Sequence, residues 1–154
     1  MGIQNRIRSA LFAATIMVAS IGGGTAIVAS NANELLYSAG THGVSLAVKP
    51  LSALGVDNTA KNHALMLAVL NNHTITVDSL LKNGADPNSF SGWPLQHAAQ
   101  QGRTDIVALL LKHGADAEKL DDLAAQQAEA NGHADTAKLL RQHRAPTQHH
   151  TGPT

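Results

Sequence analysis

Trp93-Pro94-Leu95-Gln96-His97-Ala98-Ala99-Gln100-Gln101-Gly102-Arg103-Thr104-Asp105-Ile106-Val107-Ala108-Leu109-Leu110-Leu111-Lys112-His113-Gly114-Ala115-Asp116 reads as two short helices joined by a tight turn. Pro94 fits the first turn of the first helix, where a missing N–H has no partner to lose. Gln100-Gln101-Gly102 ends that helix with glycine at the position that must turn left-handed. Thr104-Asp105 is expected to start the second helix with a capping oxygen and a negative charge at its positive end. Lys112-His113-Gly114 closes it with cations and a second C-cap glycine.

Outward from this stretch the chain repeats. Gly84-Ala85-Asp86-Pro87-Asn88 returns thirty residues later as Gly114-Ala115-Asp116-Ala117-Glu118. The small residue that ends each first helix recurs as Gly43, Asn72, Gly102 and Gly132, at intervals of twenty-nine, thirty and thirty. Asn is the usual substitute for Gly where the backbone turns left-handed. Four residues before each anchor stands Ala39, Ala68, Ala98 or Ala128; eight after it stands Leu51, Leu80, Leu110 or Leu140. The column five residues past the anchor, Val48, Val77, Val107 and Ala137, is apolar too. Alanine lets two helices approach closely, and the pairs Leu80-Leu81 and Leu110-Leu111 fill the layer between repeats. A period of this size signals stacked helical units that present a binding surface, not a catalytic pocket.

The 93–116 stretch closely resembles an ankyrin repeat. The likeness is good over residues 63–88, weaker in the two outer copies, and covers about residues 34–144. Two departures stand out. The family's Thr-Pro-Leu-His opening reads Trp93-Pro94-Leu95-Gln96 here, and the other copies lack even the proline. The period is also about three residues below the family's usual thirty-three. The shortening falls between Asp86 and Trp93, where a projecting β-hairpin finger belongs. The resemblance therefore implies an all-α solenoid of about four helix-turn-helix repeats with shortened fingers, at residues 34–57, 63–88, 93–118 and 123–144. The outer copies read as caps. Pro50 is expected to kink or delay the second helix of the first repeat. The last repeat exchanges core leucines for Ala125, Gln127 and Arg141 and has Arg144 in place of the C-cap glycine, giving the polar outer face a solenoid end needs.

Residues 1–32 are of another kind. Arg6 and Arg8 precede an apolar run from Ala10 to Ala19, and small residues follow. This is the layout of a secretory signal peptide with a processing site near Ser30-Asn31-Ala32. The competing readings are an uncleaved inner-membrane anchor with the repeats outside the cytoplasm, because Ala10 to Ala29 is long enough to span a bilayer, and an ordinary buried helix of the fold, without which the repeat pattern is already complete. Gly22-Gly23-Gly24, which interrupts the apolar helix, favours cleavage. Residues 145–154, rich in Pro, Gly, Thr and Gln, read as a disordered tail.

Composition narrows the function. The absence of cysteine excludes disulfides and thiolate metal sites. Without residues 1–32, which hold two of the eleven basic residues and none of the eleven acidic ones, the balance is −2. No basic stripe marks a nucleic-acid footprint. No phosphate loop, nucleophile elbow or convergent carboxylate pair suggests an enzyme. Asp121-Asp122 is the only acidic pair, and neighbouring helix residues point apart. No cofactor is expected.

The expected function is non-enzymatic protein recognition by a monomer in the bacterial periplasm or envelope, or secreted. Members of the family bind on a concave face at positions just before the anchor glycine. Carried onto this chain, the resemblance implies Thr41-His42, Leu70-Asn71, Gln100-Gln101 and Ala130-Asn131. Leu70 is apolar where a surface residue needs a reason to be. Phe90, in the shortened turn, and Trp93, at the next helix start, are aromatic candidates for interface anchors. Arg103 is placed to reach a partner carboxylate. Small exported bacterial members of this kind suggest periplasmic enzymes such as catalases, or toxins, as partners by fold-level analogy.

Nine histidines open two alternatives. His73 and His133 follow an anchor, while His113 and His143 end a second helix, where imidazole serves nearby carbonyls or the helix dipole. His143 with His149 and His150 is a weak candidate for metal or haem binding. The other alternative is an effector delivered to a host protein.

Overall fold

Each of the four anchors closes the same hydrogen-bonded cap. The N–H after the anchor donates back to the alanine carbonyl five residues earlier: Val44 to Ala39 at 3.0 Å, His73 to Ala68 at 2.9 Å, Arg103 to Ala98 at 2.9 Å and His133 to Ala128 at 2.8 Å. That bond requires a left-handed residue between them, and Gly43, Asn72, Gly102 and Gly132 have φ of 72°, 58°, 66° and 84°. The two sequence columns are thus two halves of one Schellman cap, repeated.

The computed structural model describes residues 25–117 and 122–144, with only the backbone of 25–31 and 144. Among these residues there are eight helices and no strand: α1 Thr25–His42, α2 Ser45–Ala53, α3 Asn58–Leu70, α4 Thr74–Lys82, α5 Ser89–Gln100, α6 Thr104–Lys112, α7 Leu123–Ala130 and α8 Ala134–Arg144. The first helices of successive repeats, α1, α3, α5 and α7, pack side by side, and the second helices, α2, α4, α6 and α8, form a parallel row behind them. Among the described residues no helix is long and apolar enough to cross a membrane.

The core lies between the rows. Ala39, Ala68, Ala98 and Ala128 are buried from the first row; Val48, Val77, Val107, Ala137 and the four column leucines are buried from the second. Small residues let the rows close. A Cβ on Gly40 would overlap the Ala64 carbonyl of the neighbouring first helix. Side-chain amides tie the turns between repeats. Asn88 Oδ1 accepts from the Asp116 N–H at 2.8 Å, and its Nδ2 donates to the Gly114 carbonyl at 2.9 Å.

One local expectation changes and two gain detail. Thr104 does not cap α6: Arg103 holds the N-cap place without a side-chain bond, and the Thr104 hydroxyl pairs with that of Thr136 in α8 at 2.7 Å. A single residue separates the left-handed Gly102 from Thr104, so the chain enters α6 before a hydroxyl can fold back on it. Pro50 lies inside α2 without ending it. The carbonyl it frees belongs to Leu46, the most exposed large apolar residue described, so the lost bond falls on the solvent side of the helix. At residues 83–92 a short turn replaces the finger, and it runs directly into helix through three left-handed residues.

Thr76 and Thr136 occupy equivalent buried positions, each 1 % exposed, but the Thr76 hydroxyl has no partner. Thr76→Val is therefore expected to raise the unfolding free energy by about 1 kcal/mol, and Thr136→Val, which strands Thr104, to lower it by about as much. Urea unfolding of both variants checks this; shifts of the same sign would refute the assignment.

Candidate protein interface

Accessibility along the first row follows the helical period. On α3, Ala60, Ala64, Leu65, Ala68 and Val69 are buried, while His63, Met66, Leu67 and Leu70 keep an accessible edge. On α5 the accessible stripe is Trp93, Gln96, His97 and Gln100. On α7 it is Leu123, Gln126, Gln127 and Ala130. Residues three and four apart share a helix face, and the three helices lie side by side, so the stripes join into one surface. The Gln96 amide reaches Gln127 Oε1 of the next repeat at 3.3 Å.

At one edge of this surface stands Phe90. The turn is built by Asp86, whose carboxylate accepts the Asn88 N–H at 2.8 Å and whose carbonyl accepts that of Ser89 at 3.1 Å. Phe90, Ser91 and Gly92 then take φ of 53°, 58° and 80°. For L-residues other than Gly this region costs roughly 1–2 kcal/mol each. The conformation leaves Phe90 44 % exposed with its ring edge-on to His63, centroids 5.0 Å apart. His63 meets Tyr37 in the same manner at 5.9 Å. Three successive repeats thus share one aromatic line. His63 Nδ1 lies 2.8 Å from the Thr59 carbonyl; a carbonyl only accepts, so the neutral ring carries its proton there and keeps Nε2 as an acceptor.

The sequence-selected residues divide in this frame. Leu70, 51 % exposed, and Gln100 lie on the stripe. Trp93 is half-buried and stacked on His97, centroids 4.6 Å apart and planes within 10°. Gln101 and Arg103 are exposed beside the anchor turn. Asn71 and Asn131, both exposed, each give one amide N–H to a carbonyl, Asn71 to that of Leu67 at 2.8 Å and Asn131 to that of Gln100 at 3.0 Å. Thr41 and His42 likewise bond carbonyls of their own helix. Missed by reading only the positions before the anchor were His63, Met66, Leu67, Gln96, His97 and Gln127. Counting back two, five, six and nine residues from each anchor would have found them.

Charge is set elsewhere. Lys82, 2.6 Å from Asp78, holds that carboxyl below its usual range against the opposing effect of burial, with His113 of the next repeat adding to the effect from 3.6 Å. The Glu129 carboxyl is likewise lowered by its hydrogen bond from Arg141 on the outer face of the last repeat. Burial, and then the Arg103 cation, lowers His97 below the ordinary imidazole range, which favours its neutral form. His73 bonds the Thr41 carbonyl across the repeat boundary at 3.0 Å. Among the described residues no group of three His, Asp or Glu is placed to hold a metal. His143 is exposed, and His149 and His150 lie outside the described residues. On the second row, Leu46 and Ile75 are 88 % and 75 % exposed; the equivalent positions of the next two repeats are Asp105 and Asp135.

No curated protein matches the chain. The family profile described as "Ankyrin repeats (3 copies)" matches residues 34–121 and 65–151. With its caps, rows and turns repeating in that register, the chain belongs to the ankyrin-repeat family.

Proposed function

We propose that this ankyrin-repeat protein is a non-enzymatic recognition module that holds a protein partner against the accessible face of its first helices. The observation that carries the reading is Phe90. A half-exposed aromatic in left-handed conformation costs stability, and residues held this way persist where the surrounding structure gains something from them. Preformed helices add a second argument, because a face that is already ordered loses little entropy on association.

The basic, apolar and small-residue order of residues 1–32 supports export to a bacterial periplasm or envelope. Ser30, Asn31 and Ala32 belong to α1, and Ala32 is 1 % exposed in the core. Folded α1 withholds that bond, so processing there precedes folding of the first repeat and leaves residues 33–42 as its first helix.

The test is cross-linking and co-purification from the envelope fraction with the tagged chain and a Leu70→Asp variant of unchanged helicity. The expected result is a protein captured by the wild type and lost by the variant. Equal capture by both would rule out this face as the recognition surface.

A further inference from the structure

We infer that the partner's contacting segment is a polypeptide stretch without fixed charge, apolar where it lies over α3 and bearing amide or hydroxyl groups where it crosses α5 and α7. This rests on the recognition reading above and concerns the chemistry of the same face.

On α3, α5 and α7 the accessible stripe carries no Asp, Glu, Lys or Arg; its single acid, Glu34, stands at the α1 end. The surface is instead graded. Met66, Leu67 and Leu70 make its α3 portion apolar, and Gln96, Gln100 and Gln127 make the following portion polar but neutral. Interface cores show this pattern, depleted in charge and enriched in aromatic residues and Met. A charged partner group laid on the α3 to α7 stripe would lose hydration and meet no opposite charge within it, since Arg103, whose cation is felt at His97, stands at its edge. Lys61 and Arg103 lie outside the stripe's helical positions, and Glu129 is occupied by Arg141.

Neutral chemistry fits at both ends. Aliphatic side chains over Met66, Leu67 and Leu70 gain about 25 cal/mol for each Å² of apolar area removed from water. Over α5 and α7 each glutamine amide offers both a donor and an acceptor, and only one long bond, Gln96 to Gln127 at 3.3 Å, is made between them. Backbone amides, Ser, Thr, Asn and Gln can answer both without moving a charge out of water. The same amides, with the His63 Nε2 acceptor, argue against a lipid surface, because hydrocarbon would leave them unpaired.

The probe is a displayed random-peptide library selected on the full chain, followed by affinities of the best peptide for the wild type and for Leu70→Glu, Leu70→Lys and Ile75→Glu. Enriched peptides should be depleted in Asp, Glu, Lys and Arg. Binding should fall at least about tenfold in both Leu70 variants, hold in Ile75→Glu, and be insensitive to a roughly tenfold change in salt around the physiological range. Selected peptides sharing one sign of charge, with one Leu70 variant binding more tightly, would overturn the neutral-partner inference and leave recognition by this face standing. Peptides that ignore both Leu70 variants but are lost with Ile75→Glu would overturn both readings. So would a selection with no enrichment over the Leu70→Glu bait, or Leu70-dependent binding to phosphatidylcholine vesicles in place of peptide.

Discussion

Gly102→Ala is expected to destabilise the fold by about 3 kcal/mol, from two separate causes. The first is backbone: φ is 66° at this anchor, a region where an L-residue costs roughly 1–2 kcal/mol. The second is contact. The imidazole of His133, which follows the anchor of the next repeat, lies directly over Gly102, and a Cβ there would overlap the ring. Displacing a packed ring typically costs about 1–3 kcal/mol. A double-mutant cycle separates the two. In a His133→Ala background the Gly102→Ala cost should fall to the backbone part, about 1–2 kcal/mol, and the difference is the coupling between repeats. Equal costs in both backgrounds would mean that the ring does not pin the repeats together. The same arrangement recurs at Gly43, where an added Cβ would come within 2.7 Å of His73. At the anchor that already carries a Cβ, Asn72, the corresponding residue of the next repeat is Arg103, long and exposed. Among the described residues no repeat follows Gly132, and nothing lies within 4 Å of its absent Cβ. The histidines after the anchors are therefore stacking elements of the solenoid, each matched to the glycine before it.

What could be read from the sequence, and what could not, follows from the range of the interactions. The Schellman caps are made within six residues, so an anchor and its alanine betray them wherever they recur. The buried columns follow from the helical period alone. Thr104 looked like a cap because the rule for capping is local; its actual partner, Thr136, is thirty-two residues away and is set by the stacking register. His73 bonds the Thr41 carbonyl for the same reason. The candidate site was half legible. Family analogy singles out the residues just before the anchor, which reaches Leu70 and Gln100 at one end of the stripe, and also Asn71 and Asn131, each of which gives one amide N–H to a backbone carbonyl. The line from Tyr37 through His63 to Phe90 has no shared column in the sequence. Its last member is added by the left-handed turn at 90–92, which sets Phe90 against His63 on α3, the first helix of the preceding repeat.

That turn supplies the other large effect. Phe90→Gly is expected to reduce affinity for the captured partner by at least about tenfold while leaving stability within about 1 kcal/mol of the wild type. Three contributions to stability nearly cancel. Glycine relieves a left-handed residue worth roughly 1–2 kcal/mol, restores unfolded-chain freedom worth about 0.5–1 kcal/mol against folding, and removes an edge-to-face pair with His63 worth about 0.5–1.5 kcal/mol. Binding has no such compensation, since an aromatic anchor at an interface commonly accounts for 2 kcal/mol or more. Ser91→Gly is the matched control. It sits in the same left-handed turn with φ 58° and is exposed, so it should gain about 1 kcal/mol of stability with affinity unchanged. If Phe90→Gly instead unfolds the chain at markedly lower urea concentration than Ser91→Gly gains, the ring is a plug for the shortened turn. If both variants fold well and only Phe90→Gly fails to bind, the strained turn exists to hold that ring over His63, and the shortened finger is itself the contact.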